Sequence, residues 1–277
     1  MADRTSQPSR KSKKRSKNKK TKHLNPVTFT TSNIRKDNNL INKYHALVKI
    51  QESVKKARGL TKQEREYKLK DLNSKIDKLG GINAYQKASK LGEKHSGGFN
   101  SAKWVVSKLK EHNIRGCGGK LKLLDVGALS CNYTKYKAWI DCTAIDLNPQ
   151  NSSIIKADFL TLSCRIQYDV VVLSLVINFE GDCRRRGDML RLCSKIVLKK
   201  GILFIVLPLP CVENSRFLNK ELFISMTVSL GFTVVSEHCS SKLYFVMLKN
   251  NGESIMKEFP RKTLKSGNSY NNFAIIF

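Results

Sequence analysis

The feature that most constrains this chain is a series of short, almost wholly apolar runs between residues 121 and 250. They read KLLDVG (122–127), CTAIDLN (142–148), IIKADFL (154–160), YDVVVLSL (168–175) and ILFIVLP (202–208). Helical patterns at about 132–139, 183–199 and 216–230 separate several of them, and FTVVSEH (232–238) with KLYFVMLK (242–249) reads as a closing antiparallel pair. A strand that does not alternate apolar with polar residues is buried on both faces. Such strands interleaved with helices make a parallel sheet covered on both sides. The expected class is therefore a doubly wound, Rossmann-like α/β domain over residues 116–250. The longest apolar runs, VVVLSLVI (170–177) and ILFIVLPL (202–209), fall far short of the roughly 20 residues that cross a bilayer, so no membrane partner is expected.

Charge is distributed unevenly around that core. The formal net charge of +29 contains a surplus of 16 in residues 1–70, where 21 basic side chains face 5 acidic ones, against a surplus of only 5 in residues 121–250. A polyanionic partner is the first expectation. Residues 1–22 carry ten Lys or Arg and almost no large apolar side chain, too little to offset the entropy of ordering. Residues 1–37 are expected to be a disordered basic tail, read either as a solubilising segment or as a nuclear or nucleolar address that also holds RNA backbone. Residues 38–115 are expected to form a basic helical appendage. One helix lies over 38–58, where Leu40, Tyr44, Leu47, Val48 and Val54 recur at helical spacing. A second lies over 61–79 with a Thr61–Glu64 capping box, a third over 82–91, and a fourth, with Ser101 as its expected cap, runs through Lys110. Residues 251–277 are read as a C-terminal tail.

The first 22 residues hold no apolar stretch of a secretory signal, so the eight cysteines are expected to be reduced thiols; they include no CxxC pair and no His at zinc-finger spacing, so no metal site is expected. None of the five histidines sits in a pattern that assigns it a role.

In a doubly wound sheet, ligands bind outside the carboxyl ends of the strands, at the point where the strand order reverses. Asp125-Val126-Gly127 closes the first strand, and a glycine there lets backbone approach a ligand closely. Asp146 closes the second, 19 residues after Gly127, placed to accept both hydroxyls of a ribose. Asp158-Phe159 closes the third, an acceptor for an exocyclic amine beside an aromatic face for a purine. Each is more often a cap or turn residue when taken singly; in order, at three consecutive strand ends, they describe an adenosine site. The loop GALSCN lacks the glycines of a pyrophosphate-binding turn, and no GxxxxGK[ST] occurs. A cofactor without phosphate, S-adenosyl-L-methionine, suits it better.

These segments resemble the class I S-adenosylmethionine-dependent methyltransferases. Within them they are similar to the nucleolar large-subunit ribosomal RNA adenine-N1 methyltransferases, the base methyltransferase 2 family. The resemblance runs over about residues 80–250. It rests on YQKASKLGE (85–93), GGFNSAK (97–103), LLDVGALS (123–130), AIDLN (144–148), ADFL (157–160), SLVINF (174–179) with RRRGDML (184–190), LFIVLPLPCVENSRF (203–217) and SLGF (229–232). It implies methylation of adenine N1 in ribosomal RNA or a pre-ribosome, with cofactor contacts at Gly127 and Asp146. Leu129 stands where the wider superfamily has a second glycine, which implies an unusual cofactor pose. Relatives thought to sense S-adenosylmethionine without catalysis keep a cofactor-sensor function open as the alternative, and a non-enzymatic RNA-binding factor is a third.

On the enzyme reading, Ser174 and Asn178 are the catalytic candidates, hydrogen-bonding the adenine edge, with Phe179 stacking on the base. Glu180 and Asp182 are candidates for stabilising the cationic product, and Arg184, Arg185 and Arg186 for holding RNA phosphate. The competing reading makes Ser174 and Asn178 mere caps of the strand end.

Overall fold

The structure, a computed structural model, describes residues 31–95, 100–116, 118–255 and 257–277, with side chains described for 39–91 and from 100 onward. The basic run 10–20 and most of the HSGGFN loop lie outside the described residues. Three helices come first, α1 (Thr31–Lys56), α2 (Lys62–Lys78) and α3 (Gly81–His95), then α4 (Ser101–Glu111). The Thr61 capping box forms as expected, its hydroxyl accepting from the Glu64 amide while the Glu64 side chain accepts from the Thr61 amide. Asn100, not Ser101, caps α4, its side chain accepting from the Lys103 amide.

The strands are β1 (Leu121–Val126), β2 (Ile140–Asp146), β3 (Ile155–Lys156), β4 (Tyr168–Ser174), β5 (Val197–Pro208), β6 (Phe232–Cys239) and β7 (Leu243–Asn250), with helices α5 (Cys183–Ile196), α6 (Pro210–Glu213) and α7 (Lys220–Ser229) among them. They form one sheet in the order β3-β2-β1-β4-β5-β7-β6. The first five are parallel, and β7 is antiparallel to both β5 and β6. The doubly wound class read from the apolar runs is the one observed.

Two expected elements shrink. The helix at 132–139 is a single 3-10 turn at Thr134–Tyr136, and the third strand is two residues, followed by a 3-10 turn at Phe159–Thr161. At the sheet's edge there is one neighbour to pair with, and Asp158 diverts the backbone by accepting the Leu160 amide at 2.9 Å.

Side chains alternate across β1. Leu121 and Leu123 pack with Trp104, Val105 and Leu109 of α4 on one face. Leu124 and Val126 pack with α5, α7 and the chain terminus on the other. The reading of 251–277 as a tail is corrected here: Phe259, Phe273, Ala274 and Ile275 are at most 5% exposed, and this segment closes the second face. The Ile276 amide donates to the Cys183 carbonyl at 3.1 Å, so the terminus lies as a strap across the first turns of α5. It crosses at Gly187, where a Cβ would run into the Ile276 carbonyl oxygen.

Gly187→Ala therefore tests the strap. In an ordinary helix interior this change gains about 1 kcal/mol; here overpacking against the strap is expected to leave a net loss of about 1–3 kcal/mol in urea denaturation. A net gain would show that the strap does not lie against α5.

Candidate functional site

β1 pairs with β2 on one side and β4 on the other, so the crevice expected of this topology opens between the loops that leave β1 and β4. Gly127 adopts φ +70°, a region that side chains with a Cβ resist. Its amide donates to the Ile145 carbonyl at 2.8 Å. A Cβ on Gly127 would lie 2.7 Å from Val176 Cγ2, so this glycine is required both by its backbone angle and by the approach of the loop after β4. Across the crevice Leu175 also takes a positive φ of +58°. The amide of Leu175 stays bonded to the Val206 carbonyl at 2.9 Å while the chain folds back into a tight turn, Phe179 amide to Val176 carbonyl at 2.9 Å. A non-glycine residue held there costs about 1–3 kcal/mol, a strain found where structure is over-determined.

Asp146 ends β2 half-buried, and burial raises its carboxyl pKa. Helix α3 reaches it: Gln86, 4% exposed, donates from Nε2 to Asp146 Oδ1 at 3.2 Å and to the Asn148 carbonyl at 3.0 Å. The Asn148 amide donates to the same Oδ1 at 2.7 Å. One carboxylate oxygen is thus held by protein, which fixes the orientation of the other. Asp125 is 7% exposed and lies on the α4 face near Tyr133, whose hydroxyl pKa is raised by burial first and by the Asp125 charge second.

Several expected ligands are otherwise engaged. Phe159 is 4% exposed within the core and has no free ring face for a purine. Asp158 accepts from the Leu160 amide on Oδ1 and from Arg185 Nη2 at 3.3 Å on Oδ2. Ser174 donates its hydroxyl proton to Ser101 Oγ at 2.8 Å, tying the end of β4 to α4.

Glu180 accepts from Arg185 Nε at 2.8 Å and from the Asp182 amide at 2.9 Å. Asp182 caps α5 through the Arg184 amide and pairs with Lys56 of α1. The arginine run does not act as one phosphate patch. Arg186 turns inward, 4% exposed, donating to the Glu180 carbonyl at 2.8 Å and the Ala274 carbonyl at 2.6 Å with its guanidinium 4.3 Å above the Phe273 ring. It joins the loop after β4 to the C-terminal strap. Arg184 remains exposed.

Asn178 is 6% exposed, and its Oδ1 has no hydrogen-bond partner. It lines a small cavity with Phe179 and, from α1, Tyr44, His45, Val48 and Lys49. Phe179 meets His45 edge-on at 4.2 Å and Tyr85 of α3 at 5.1 Å, and Tyr85 stacks on Tyr44 at 4.8 Å. The helical appendage therefore covers the crevice at two points, Gln86 at the end of β2 and Tyr44–His45 beyond β4. Sequence reading missed His45, Gln86 and the inward turn of Arg186. The aromatic and amide pair YQ at 85–86 was the one available signal, because nothing local tells which helix face meets a loop 90 residues on.

A family model described as "25S rRNA (adenine(2142)-N(1))-methyltransferase, Bmt2" matches residues 70–275. The chain belongs to this family. It is 30% identical over 210 residues to the 25S rRNA (adenine(2142)-N(1))-methyltransferase of Saccharomyces cerevisiae, covering 73% of this chain and 61% of that protein. The chain thus spans about three-fifths of that relative's length. It is 27% identical over 252 residues to the 25S rRNA adenine-N(1) methyltransferase of Schizosaccharomyces pombe, covering 87% of this chain and 91% of that protein. Among solved structures, an S-adenosylmethionine-dependent methyltransferase from Clostridium acetobutylicum superposes with a TM-score of 0.47 at 12% identity, over 61% of this chain and 99% of that chain.

Burial and the Lys49 charge lower the His45 pKa to about 4, against about 6.5 in an unfolded chain. Between these values the unfolded state binds more protons, so stability rises with pH. The contribution is complete above about pH 6.5 and is lost as pH falls towards 4. Urea denaturation at pH 7 and pH 5 should show a smaller loss on acidification for His45→Phe than for wild type. Equal losses would mean that His45 is not buried against Phe179.

Proposed function

We propose that this chain uses S-adenosyl-L-methionine to methylate N1 of an adenine in large-subunit ribosomal RNA. The carrying observation is the crevice itself. Gly127 abuts Val176 at the strand-order reversal, and beside them the buried Asn178 holds out an unpaired carbonyl oxygen. The names of the Saccharomyces and Schizosaccharomyces relatives support the reaction and the substrate class.

The residues fit such a cofactor. Asp146 keeps one carboxylate oxygen for ribose hydroxyls while Gln86 and Asn148 hold the other, and Gly127 gives a backbone cradle that a Cβ would fill. When bound, S-adenosylmethionine supplies a methyl group on positively charged sulfur. Adenine N1 presents a lone pair at neutral pH, so no side chain has to remove a proton. The protein's task is to hold the base in line, an orientation effect that can reach about 7–11 kcal/mol. Asn178 Oδ1 accepts from the exocyclic amine, which leaves N1 open. A paired adenine must first be flipped out, at a cost of a few kcal/mol.

The basic segment preceding α1 holds RNA backbone around the reaction and directs the protein to the nucleolus, where the substrate is ribosomal RNA within a maturing pre-ribosome. Its charge is the support for this: ten Lys or Arg within residues 1–22.

Transfer of labelled methyl to large-subunit ribosomal RNA, with the product base identified by chromatography, is the deciding measurement. N1-methyladenine is the expected product. Asn178→Ala should lower kcat/KM by about 10- to 100-fold, the scale of one lost hydrogen bond to a buried partner. Gly127→Val should abolish transfer. Unchanged transfer by both variants would place the chemistry elsewhere. RNA binding should weaken by about 10³–10⁵ between 50 and 200 mM salt if six to ten phosphates are contacted.

A further inference from the structure

Three buried side-chain polar atoms among the described residues have no hydrogen-bond partner, and two of them belong to one place: Asn178 Oδ1 and His45 Nε2. Both residues line the cavity between α1 and the loop after β4. Buried polar atoms are nearly always paired in folded proteins. Two unpaired atoms at a single cavity, in a crevice already read as a base site, mark groups kept for a ligand.

The chemistry of the two atoms narrows the ligand. A carbonyl oxygen only accepts, so Asn178 needs a donor. A neutral imidazole carries one donor nitrogen and one acceptor, and Nε2 donates when the proton resides there. The surrounding rings of Tyr44, Tyr85 and Phe179 favour a flat aromatic partner. An edge that presents a donor next to an acceptor is the N6 amine with N7 of adenine; guanine presents two acceptors there, O6 and N7. Recognition along that edge also leaves N1 uncovered, as methylation of N1 requires.

We propose that His45, carried by α1, is a specificity-determining contact to N7 of the target adenine, completing with Asn178 a seat for the N6–N7 edge. The assignment rests on the adenine-N1 reading above. The cavity measures about 10 Å³, room for about one water, so a base enters only as α1 draws back from the loop. Besides the cavity lining of Tyr44, Val48 and Lys49, α1 gives up three contacts. His45 rests edge-on against Phe179, Lys56 pairs with Asp182, and Glu52 lies against Gly181. His45, Glu52 and Lys56 recur at steps of seven and four, one stripe of the helix, so the helix moves as a unit and His45 moves with it.

The test removes one atom from the substrate. Full-length protein is assayed on large-subunit ribosomal RNA transcribed with ATP or with 7-deaza-ATP, which replaces N7 by C–H and leaves N1 intact. Wild type should lose about tenfold in kcat/KM on the 7-deaza transcript, the scale of one hydrogen bond. His45→Ala should lose about tenfold on the ordinary transcript and nothing further on the 7-deaza one, while His45→Gln, which keeps an N–H donor, should recover part of the loss. A penalty for His45→Ala that is equal on both transcripts would overturn the proposal, since packing or a cavity-filling water has no reason to depend on N7. So would the absence of any penalty. Should His45→Ala not fold, wild type alone decides: equal rates on the two transcripts overturn the assignment. A wild type that binds S-adenosylmethionine yet methylates neither transcript would overturn the methyltransferase reading and this assignment together.

Discussion

The geometry of this protein depends on a constraint of parallel pairing: β1 has neighbours on both sides, and the chain leaving β1 packs with one face of the sheet through Tyr133 while the chain leaving β4 packs with the other through Ile177 and Leu190. A gap between them is unavoidable. At its floor Val176 occupies the space that a Cβ on Gly127 would need, and the positive φ angles of Gly127 and Leu175 are how the two loops turn without filling it. Everything assigned to the site follows from this gap. Asp146 stands on one side of it, Asn178 on the other, and the helices α1 and α3 lie over its mouth.

Rigidity around the gap comes from elsewhere in the chain. Arg186 reaches from α5 to the backbone of Glu180 and of Ala274, so the loop after β4 is tied to the last residues of the sequence. Burying a guanidinium is costly unless its donors are satisfied. The Glu180 carbonyl takes one donor, and the Ala274 carbonyl and the Phe273 ring complete the contact only when the strap is docked. The loop that would grip a base is therefore positioned by a segment more than 80 residues away. Glu180, Asp182 and Arg185 add a ring of ion pairs that joins the same loop to α5 and α1. These pairs are partly exposed, so they set geometry more than stability.

The helical appendage and the sheet domain meet through unlike chemistry at the two ends of the gap. At Asp146 the contact is a network of amides, Gln86, Asn148 and Asn83. At Asn178 it is a group of rings with unpaired polar atoms behind them. In the first contact the amides are bonded to Asp146 Oδ1 and to one another; in the second Asn178 Oδ1 and His45 Nε2 have no partner. That asymmetry is in keeping with the proposal that the cofactor takes the firm end and the RNA base the yielding one.

The sequence by itself determined the doubly wound sheet, because strands buried on both faces need continuous apolar runs, and it determined the places of Gly127 and Asp146, because strand ends are local features. It also determined the basic N-terminal surplus and the Thr61 cap, each readable within a few residues. Phe159 was legible as an aromatic at a strand end, yet only packing decided that its ring enters the core. The inward turn of Arg186, the docking of FAIIF at 273–277 and the meeting of His45 with Phe179 were decided by tertiary structure alone. Each depends on which surfaces face one another across long stretches of chain, 88 residues from Arg186 to Ala274 and 134 from His45 to Phe179. Such long-range choices are made by burial and by pairing of polar groups over the whole molecule, so no local pattern records them.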